Sequence, residues 1–202
     1  MKTILASGSP RRRELLESIG LDFEVVVSDV DETYRNGETV AEHVVRLALE
    51  KAATVGSIHP DRWIIAADTI VYLDDQILGK PADSAEAVRM LSRIAGLEHI
   101  VYTGVALFHG ESGFSDSRLC TTSVLMKPMS QEEVAWYVST GEPLDKAGSY
   151  AIQGVGAMFV DSINGNYTNV VGLPLPLLVD MMRDAEIEHL VLDLDRTRDD
   201  LR

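Results

Sequence analysis

Cysteine is almost absent from this chain: Cys120 stands alone among 202 residues. One thiol excludes an intramolecular disulfide and any cysteine metal cluster. It suits a reducing compartment, so a cytoplasmic location is expected. Long apolar runs are missing as well; none approaches the ~20 residues a membrane span needs. Lys2 is followed by only the four residues Thr3-Ile4-Leu5-Ala6 before Ser7, so neither a signal peptide nor a membrane partner is expected. Positive charge is scarce, with 18 Lys and Arg against 32 Asp and Glu and a formal net charge of −14. Such a surface repels nucleic acid, which is excluded as an expected partner, and makes any local cluster of cations more informative. Common catalytic spacings are missing too. There is no Gly-rich phosphate loop ending in Gly-Lys-Ser/Thr, no G-x-G-x-x-G behind a strand and no G-x-S-x-G elbow. The five histidines (His43, His59, His99, His109, His189) never fall at metal-ligand spacing.

What is present reads as an ordinary globular chain, 46% hydrophobic and 25% charged, long enough for one substantial α/β domain with a proper core. No internal repeat, low-complexity tract or linker interrupts it. Residues 1–185 read as a single domain and residues 186–202 as an acidic tail, loose from about Asp184 onward.

The chain is organised around its opening. Thr3-Ile4-Leu5-Ala6 reads as a short strand, Ser7-Gly8-Ser9 as a tight turn, and Ser9-Pro10 as the cap and first position of a helix. Leu15, Leu16 and Ile19 give that helix its stripe and Gly20 ends it. A helix start attracts anions, yet Arg11-Arg12-Arg13 puts three cations there, against the dipole. An external anion would complete such a site. The competing reading is a solvated basic turn paired with Glu14 and Glu17. At 100° per residue Arg12 leans toward the sheet, Arg11 is next nearest, and Arg13 points away.

Phe23 to Val27 reads as a strand running into the acidic segment 28–33, whose Glu32 can help hold a hard cation or simply face water. Thr39 to Val55 is a long helix with Val40, Val44, Leu47, Ala48 and Lys51 on one stripe. Lys51 there either snorkels at the helix end or reaches a phosphate. Trp63 to Leu73 is the strongest strand, near-continuously apolar and therefore buried on both faces. Asp68 lies inside it. A buried carboxylate needs a partner or a metal, which makes Asp68 the first candidate for chemistry over a structural hydrogen-bonding role.

Asp74-Asp75 reads as a tight turn to a short strand at Ile77-Leu78, followed by Lys80. Asp83 to Ile94 is a helix, Ile100 to Phe108 and Leu119 to Met126 are strands, and Ser130 with Glu133 forms a capping box before a helix to Val138. Gly141 to Gly156 has no periodicity and reads as a functional loop. Ala157 to Ile163 reads as a strand ending in a type I′ turn at Asn164-Gly165, and Leu175 to Met182 as the last helix.

The cations Arg11, Arg12, Lys51, Lys80 and Lys146 and the carboxylates Glu32, Asp68 and Asp145 sit mostly at element ends. Converging, they would suit a polyphosphate bound with Mg²⁺, one carboxylate taking a proton from water.

Five segments resemble the Maf family of nucleoside triphosphate pyrophosphatases: Ser7-Gly-Ser-Pro-Arg-Arg12; Ala67-Asp-Thr-Ile-Val71 with Gly79-Lys-Pro81; Thr103-Gly-Val-Ala-Leu107; Gly141-Glu-Pro-Leu-Asp-Lys-Ala-Gly148 through Ile152-Gln-Gly154; and Asn169-Val-Val-Gly-Leu-Pro174. The resemblance implies an α/β fold, a mixed central sheet flanked by helices like that of inosine triphosphatases, with a cleft between two lobes. It implies hydrolysis of nucleoside triphosphates to monophosphate and pyrophosphate with a divalent metal, Mg²⁺ or else Mn²⁺ or Co²⁺, and a possible homodimer. By motif position Asp68 matches the proton acceptor. Arg11, Thr69 and Gln153 match specificity positions, and Ser7, Arg12, Glu32, Lys51 and Lys80 match phosphate and metal positions, with Glu32 and Asp68 at the metal. Ala-Asp-Thr at 67–69 is similar to the branch acting on dTTP and UTP; the 7-methyl-GTP branch carries Ser-Asp-Gln there. A nucleotide-binding regulator of cell division is the second role that the resemblance carries.

Overall fold

The computed structural model describes residues 3–190. Its frame is the apolar run foreseen in the sequence. β1 (Thr3–Leu5), β2 (Phe23–Val25), β3 (Trp63–Leu73), β4 (Gln76–Leu78), β5 (Glu98–His109), β6 (Phe114–Met126) and β7 (Val160–Asn164) form one mixed sheet. Its order is β2-β1-β3-β5-β6-β7, with β4 also on β3. β2, β1 and β3 are parallel neighbours, and β3, β5, β6 and β7 follow antiparallel.

β3 decides where the cleft opens. One edge pairs with β5 along nearly its whole length, from Trp63↔His109 to Tyr72↔Ile100. The other edge is shared. β1 pairs only with Ile64 and Ile65, and β4 only with Val71 to Leu73. The residues between, including Asp68 and Thr69, have no strand beside them on that edge. The sheet is thus notched, and the two halves beside the notch are the two lobes of the cleft.

Each face of β3 has its own cover. α2 (Val40–Ile58), opened by a complete Thr39/Glu42 capping box, lies across β3 and β5. Its Ala48, Ala52 and Val55 pack with Ile4, Ile64, Ala66 and Ala106. Gly104 permits this approach, because a Cβ there would strike the backbone of Val44 and Val45. The opposite face carries two apolar clusters. In one, α1 (Pro10–Ser18) and α6 (Leu175–Asp184) supply Leu15, Leu16, Leu178, Met181 and Met182 against Leu5, Ile65, Val105 and Leu107. In the other, α3 (Ser84–Ile94) and α4 (Gln131–Ser139) supply Leu91, Ile94, Val134 and Tyr137 against Val71, Val101 and Val124. Between them runs a polar row of Thr69, Thr103, Thr122 and Asn169. Asn169, fully buried, donates to Val101 O and Thr122 Oγ1, and Thr103 donates to Asn169 O at 3.3 Å.

Several expectations change. The strand expected over 157–163 starts only at Val160, because residues 154–159 coil into 3₁₀ turns. Asn164 keeps a strand conformation and only Gly165 adopts positive φ, so no type I′ turn forms. Asn166 instead caps a short unforeseen helix, α5 (Tyr167–Val171). β2 stops at Val25 rather than Val27. By contrast Asp74 and Asp75, at φ 47° and 57°, form the tight turn expected between β3 and β4. Ile187, 8% exposed, still packs on the α1/α6 cluster, and a 3₁₀ turn follows at Glu188–Leu190. The rest of the expected tail lies outside the described residues.

Candidate active site

A cleft of about 800 Å³ opens at the notch. Every residue singled out from the sequence lines it: Ser7, Arg11, Arg12, Glu32, Lys51, Asp68, Thr69, Lys80, Asp145, Lys146 and Gln153. They come from six segments that only the fold brings together.

Asp68 and Thr69 are neighbours on a strand, so their side chains take opposite faces. Asp68 turns toward α2, where Lys51 Nζ meets Asp68 Oδ1 at 2.7 Å and Glu32 Oε1 at 2.6 Å. Lys51 and Asp68 are largely withdrawn from water, with side chains 11% and 13% exposed. Lys51 therefore neither snorkels away nor stands free for phosphate in this state; it bridges two carboxylates. A buried ion pair of this kind is costly to break from one side, about 3–5 kcal/mol.

Glu32 is held there by its own loop. Glu38 accepts from Arg46 Nε (2.5 Å) and Nη2 (2.9 Å) and contacts His43 Nδ1 (2.9 Å), while Tyr34 stacks on His43 at 3.8 Å. Arg46 also donates to Thr33 O, the residue next to Glu32. The bond from Arg46 holds the Glu38 carboxyl well below the usual carboxylate range.

Arg12 meets Thr69 on the other face. Its Nε donates to Gly172 O (2.7 Å), Nη1 to Ser7 Oγ (3.0 Å) and Nη2 to Thr69 Oγ1 (3.0 Å). Thr69 Oγ1 in turn lies 3.0 Å from Thr103 Oγ1. None of these partners is a carboxylate. The guanidinium is fixed in position while its charge is left unneutralised by contact, and withdrawal from water lowers its pKa, with nearby Asp68 opposing. That is the arrangement of a cation waiting for an anion.

The turn before α1 fits. Ser9 has the backbone geometry of a cap, but its hydroxyl accepts nothing from the first turn. This departs from the expected Ser9 cap and leaves those N–H groups for an outside acceptor. Arg13 points away and pairs with Glu17, so the solvated reading holds for it alone. Arg11 reaches across the mouth to Asp145 at 3.3 Å, an exposed pair of little energy. Lys80 stands exposed at the rim. Lys146 donates to Asp145 and to Glu142 O.

Glu32 and Asp68 each meet Lys51 through one oxygen, Oε1 and Oδ1, and the second oxygen of each carboxylate is a hard donor beside that bridge. No group of three or more His, Cys, Asp or Glu suited to a metal gathers among the described residues. A divalent cation at Glu32 and Asp68 would thus take its remaining ligands from water and from a bound phosphate, the habit of Mg²⁺. The residues present fit that ion.

The roles of the supports were not foreseen. Gly172 and Tyr150 line the cleft and Thr103 backs Thr69; Thr103 and Gly172 lie in segments that resemble the family, but nothing in the sequence marked them as partners of Arg12 and Thr69.

The chain belongs to the Maf family: the family described as Maf-like protein matches residues 2–185. A protein of Syntrophus aciditrophicus named dTTP/UTP pyrophosphatase is 50% identical over 183 residues, 91% of this chain and 89% of that one. One of Desulfotalea psychrophila with the same name is 52% identical over 179 residues, 89% and 92% of the two chains. Among solved structures, the Staphylococcus aureus Ham1 protein aligns with a TM-score of 0.45 at 15% identity, over 62% of this chain and 72% of that one. Among the described residues no helix is long and apolar enough to cross a membrane.

Proposed function

We propose that this protein is a nucleoside triphosphate pyrophosphatase that converts dTTP and UTP, and modified pyrimidine triphosphates, to the monophosphate and pyrophosphate. The observation that carries this reading is the pairing of opposites across β3. A lysine-bridged carboxylate pair lies on one face, and an arginine with only neutral partners lies on the other. The names and identities of the relatives support the substrate.

In this mechanism the triphosphate lies along the cleft with its charge met by Arg12, Lys80 and the open first turn of α1. Asp68 accepts a proton from water as the water oxygen attacks the α-phosphorus. The bond from that phosphorus to the α–β bridging oxygen breaks, and pyrophosphate leaves. Lys51 fixes Asp68 in place. Glu32 and Asp68 would hold the divalent cation, whose chemistry when bound is neutralisation of phosphate charge. A cytoplasmic, homodimeric enzyme belongs to the same reading; fractionation and sedimentation test those two points. No feature of the site favours the regulator reading.

The test is product analysis with Mg²⁺ and dTTP, UTP, CTP, 7-methyl-GTP and ITP in turn. Pyrophosphate with monophosphate from dTTP and UTP is expected. Orthophosphate as the first product, or nucleotide binding without turnover, overturns the proposal.

A further inference from the structure

The loop from Gly141 to Gly156 forms no strand, and its middle faces the cleft at Gln153. Its shape comes from one pair of side chains. Tyr137, fully buried on α4 and packed on Phe159 at 5.4 Å, donates its hydroxyl to Glu142 Oε1 at 2.7 Å and accepts the amide of Ala151 at 3.1 Å. Glu142 Oε1 also accepts the amide of Gly156 at 2.8 Å, and Oε2 that of Val155 at 2.9 Å. Residues 152–154 are thus strung between two anchors, the Tyr137 hydroxyl at Ala151 and the Glu142 carboxylate at Val155 and Gly156, which are joined by the hydrogen bond between them. The span is too short to wander: Gly154 sits at φ +65°, where any Cβ would strike Glu142 Oε2. Burial pushes the Glu142 carboxyl up, but the bonds from Tyr137, Gly156 and Val155 outweigh it and leave the group below its ordinary value.

We propose that Tyr137 and Glu142 are positioning residues that together set the place of Gln153 and, through it, the choice of base. This rests on the reading of the cleft as a nucleoside triphosphate site and on Gln153 as the specificity position that the family resemblance implies. The groups that meet the phosphates lie off the clamp. Arg12 on α1 and Lys80 just after β4 bond to neither Tyr137 nor Glu142, and Lys146 reaches Glu142 only at its backbone oxygen, which neither substitution below alters. Loosening the clamp therefore blurs the base end and spares the phosphate end. A role in stability alone would instead lower all substrates together.

Tyr137→Phe removes one oxygen from a retained ring, and Glu142→Gln keeps the shape of the other partner. Amide exchange without ligand reads the clamp directly: Ala151, Val155 and Gly156 exchange at least about tenfold faster in the variants, about 1.4 kcal/mol of lost protection. Unchanged exchange overturns the clamp. With nucleotide, the preference for dTTP over dCTP falls about tenfold through KM, with kcat held within about threefold. Inhibition by tripolyphosphate, which has no base, stays within about twofold of wild type. In a Gln153→Ala background neither variant lowers the preference further. A uniform loss across dTTP, dCTP and tripolyphosphate overturns the proposal, as does an added loss of preference in that background. Wild-type protein that turns over no triphosphate, with exchange behaving as expected, overturns the substrate reading and the inference about base choice with it.

Discussion

Asp68 and Thr69 are adjacent in the chain and opposite in physics. On the α2 face, Asp68 is held by charge, with Lys51 between it and Glu32. On the other face, Thr69 belongs to a row of neutral groups, Thr103 and Asn169 behind it and Arg12 in front. Charges hold a carboxylate that must take a proton; neutral dipoles hold a cation without spending its charge. A strand is the simplest way to place both at one point, because its period of two sends successive side chains to different surroundings.

The largest expected effect breaks the charged face. Asp68→Asn lowers turnover by about 10²–10⁴-fold, the usual share of a general base. Nucleotide affinity stays within about tenfold, or ~1.4 kcal/mol. Full activity in that variant removes Asp68 from the chemistry. Gly104→Ala attacks the same face through packing. The methyl meets the α2 backbone, which cannot swing aside as a side chain can, and we expect a loss of about 3 kcal/mol in denaturant unfolding, the upper end of the usual cost of overpacking. A loss under about 1 kcal/mol would mean that α2 is not held tightly against β5.

Acid tests the neutral face. His99, on β5, is 1% exposed and bonded to Tyr150 OH at 2.8 Å, and burial lowers its pKa to about 4. The unfolded chain takes up this proton near pH 6.5, the folded protein only near pH 4. Stability contributed by neutral His99 is therefore whole above pH 6.5 and falls as the pH drops toward 4, by about 3 kcal/mol in full. Unfolding free energies between pH 7 and 4 should show this slope, and His99→Gln should flatten it. An equal slope in both would assign the acid sensitivity elsewhere.

Thr69→Val comes next. It keeps the shape and deletes the hydroxyl that meets both Arg12 and Thr103, at about 1–3 kcal/mol in stability. Triphosphate affinity weakens with it, as it does more strongly in Arg12→Ala; calorimetry that finds unchanged affinity in Arg12→Ala would remove the anion site. Arg13→Ala, on neither face, should change stability by less than about 0.5 kcal/mol and leave kcat/KM as it was. A larger effect would show that all three arginines act together.

Much of this was legible in the sequence. The near-continuous apolar run 63–73 has the bounds of β3, and Lys51 falls on the core stripe of α2 as read, though it bridges two carboxylates where snorkelling or a phosphate was expected. The direction of Arg12 followed from helix geometry alone. Its partners did not, since Ser7, Thr69 and Gly172 come from three segments whose meeting is a property of the sheet order. The same holds for Lys51 and Asp68, 17 residues apart on different elements. Residues 157–159, expected to open the last strand, failed for a different reason: they continue the 3₁₀ turns that begin at Gly154, where Glu142 accepts the amides of Val155 and Gly156. Ser9 failed because cap preference describes averages, and here the hydroxyl of Ser7, not Ser9, meets the backbone of the turn.

The most direct test of the account is hydrolysis of dTTP in ¹⁸O-water by the Mg²⁺-loaded protein, with both products analysed by mass spectrometry. If water activated at Asp68 attacks the α-phosphorus, the label enters dTMP and none enters pyrophosphate. Label in pyrophosphate, or in orthophosphate released stepwise, would place the attack at another phosphorus and contradict the geometry assigned to Asp68 and Arg12.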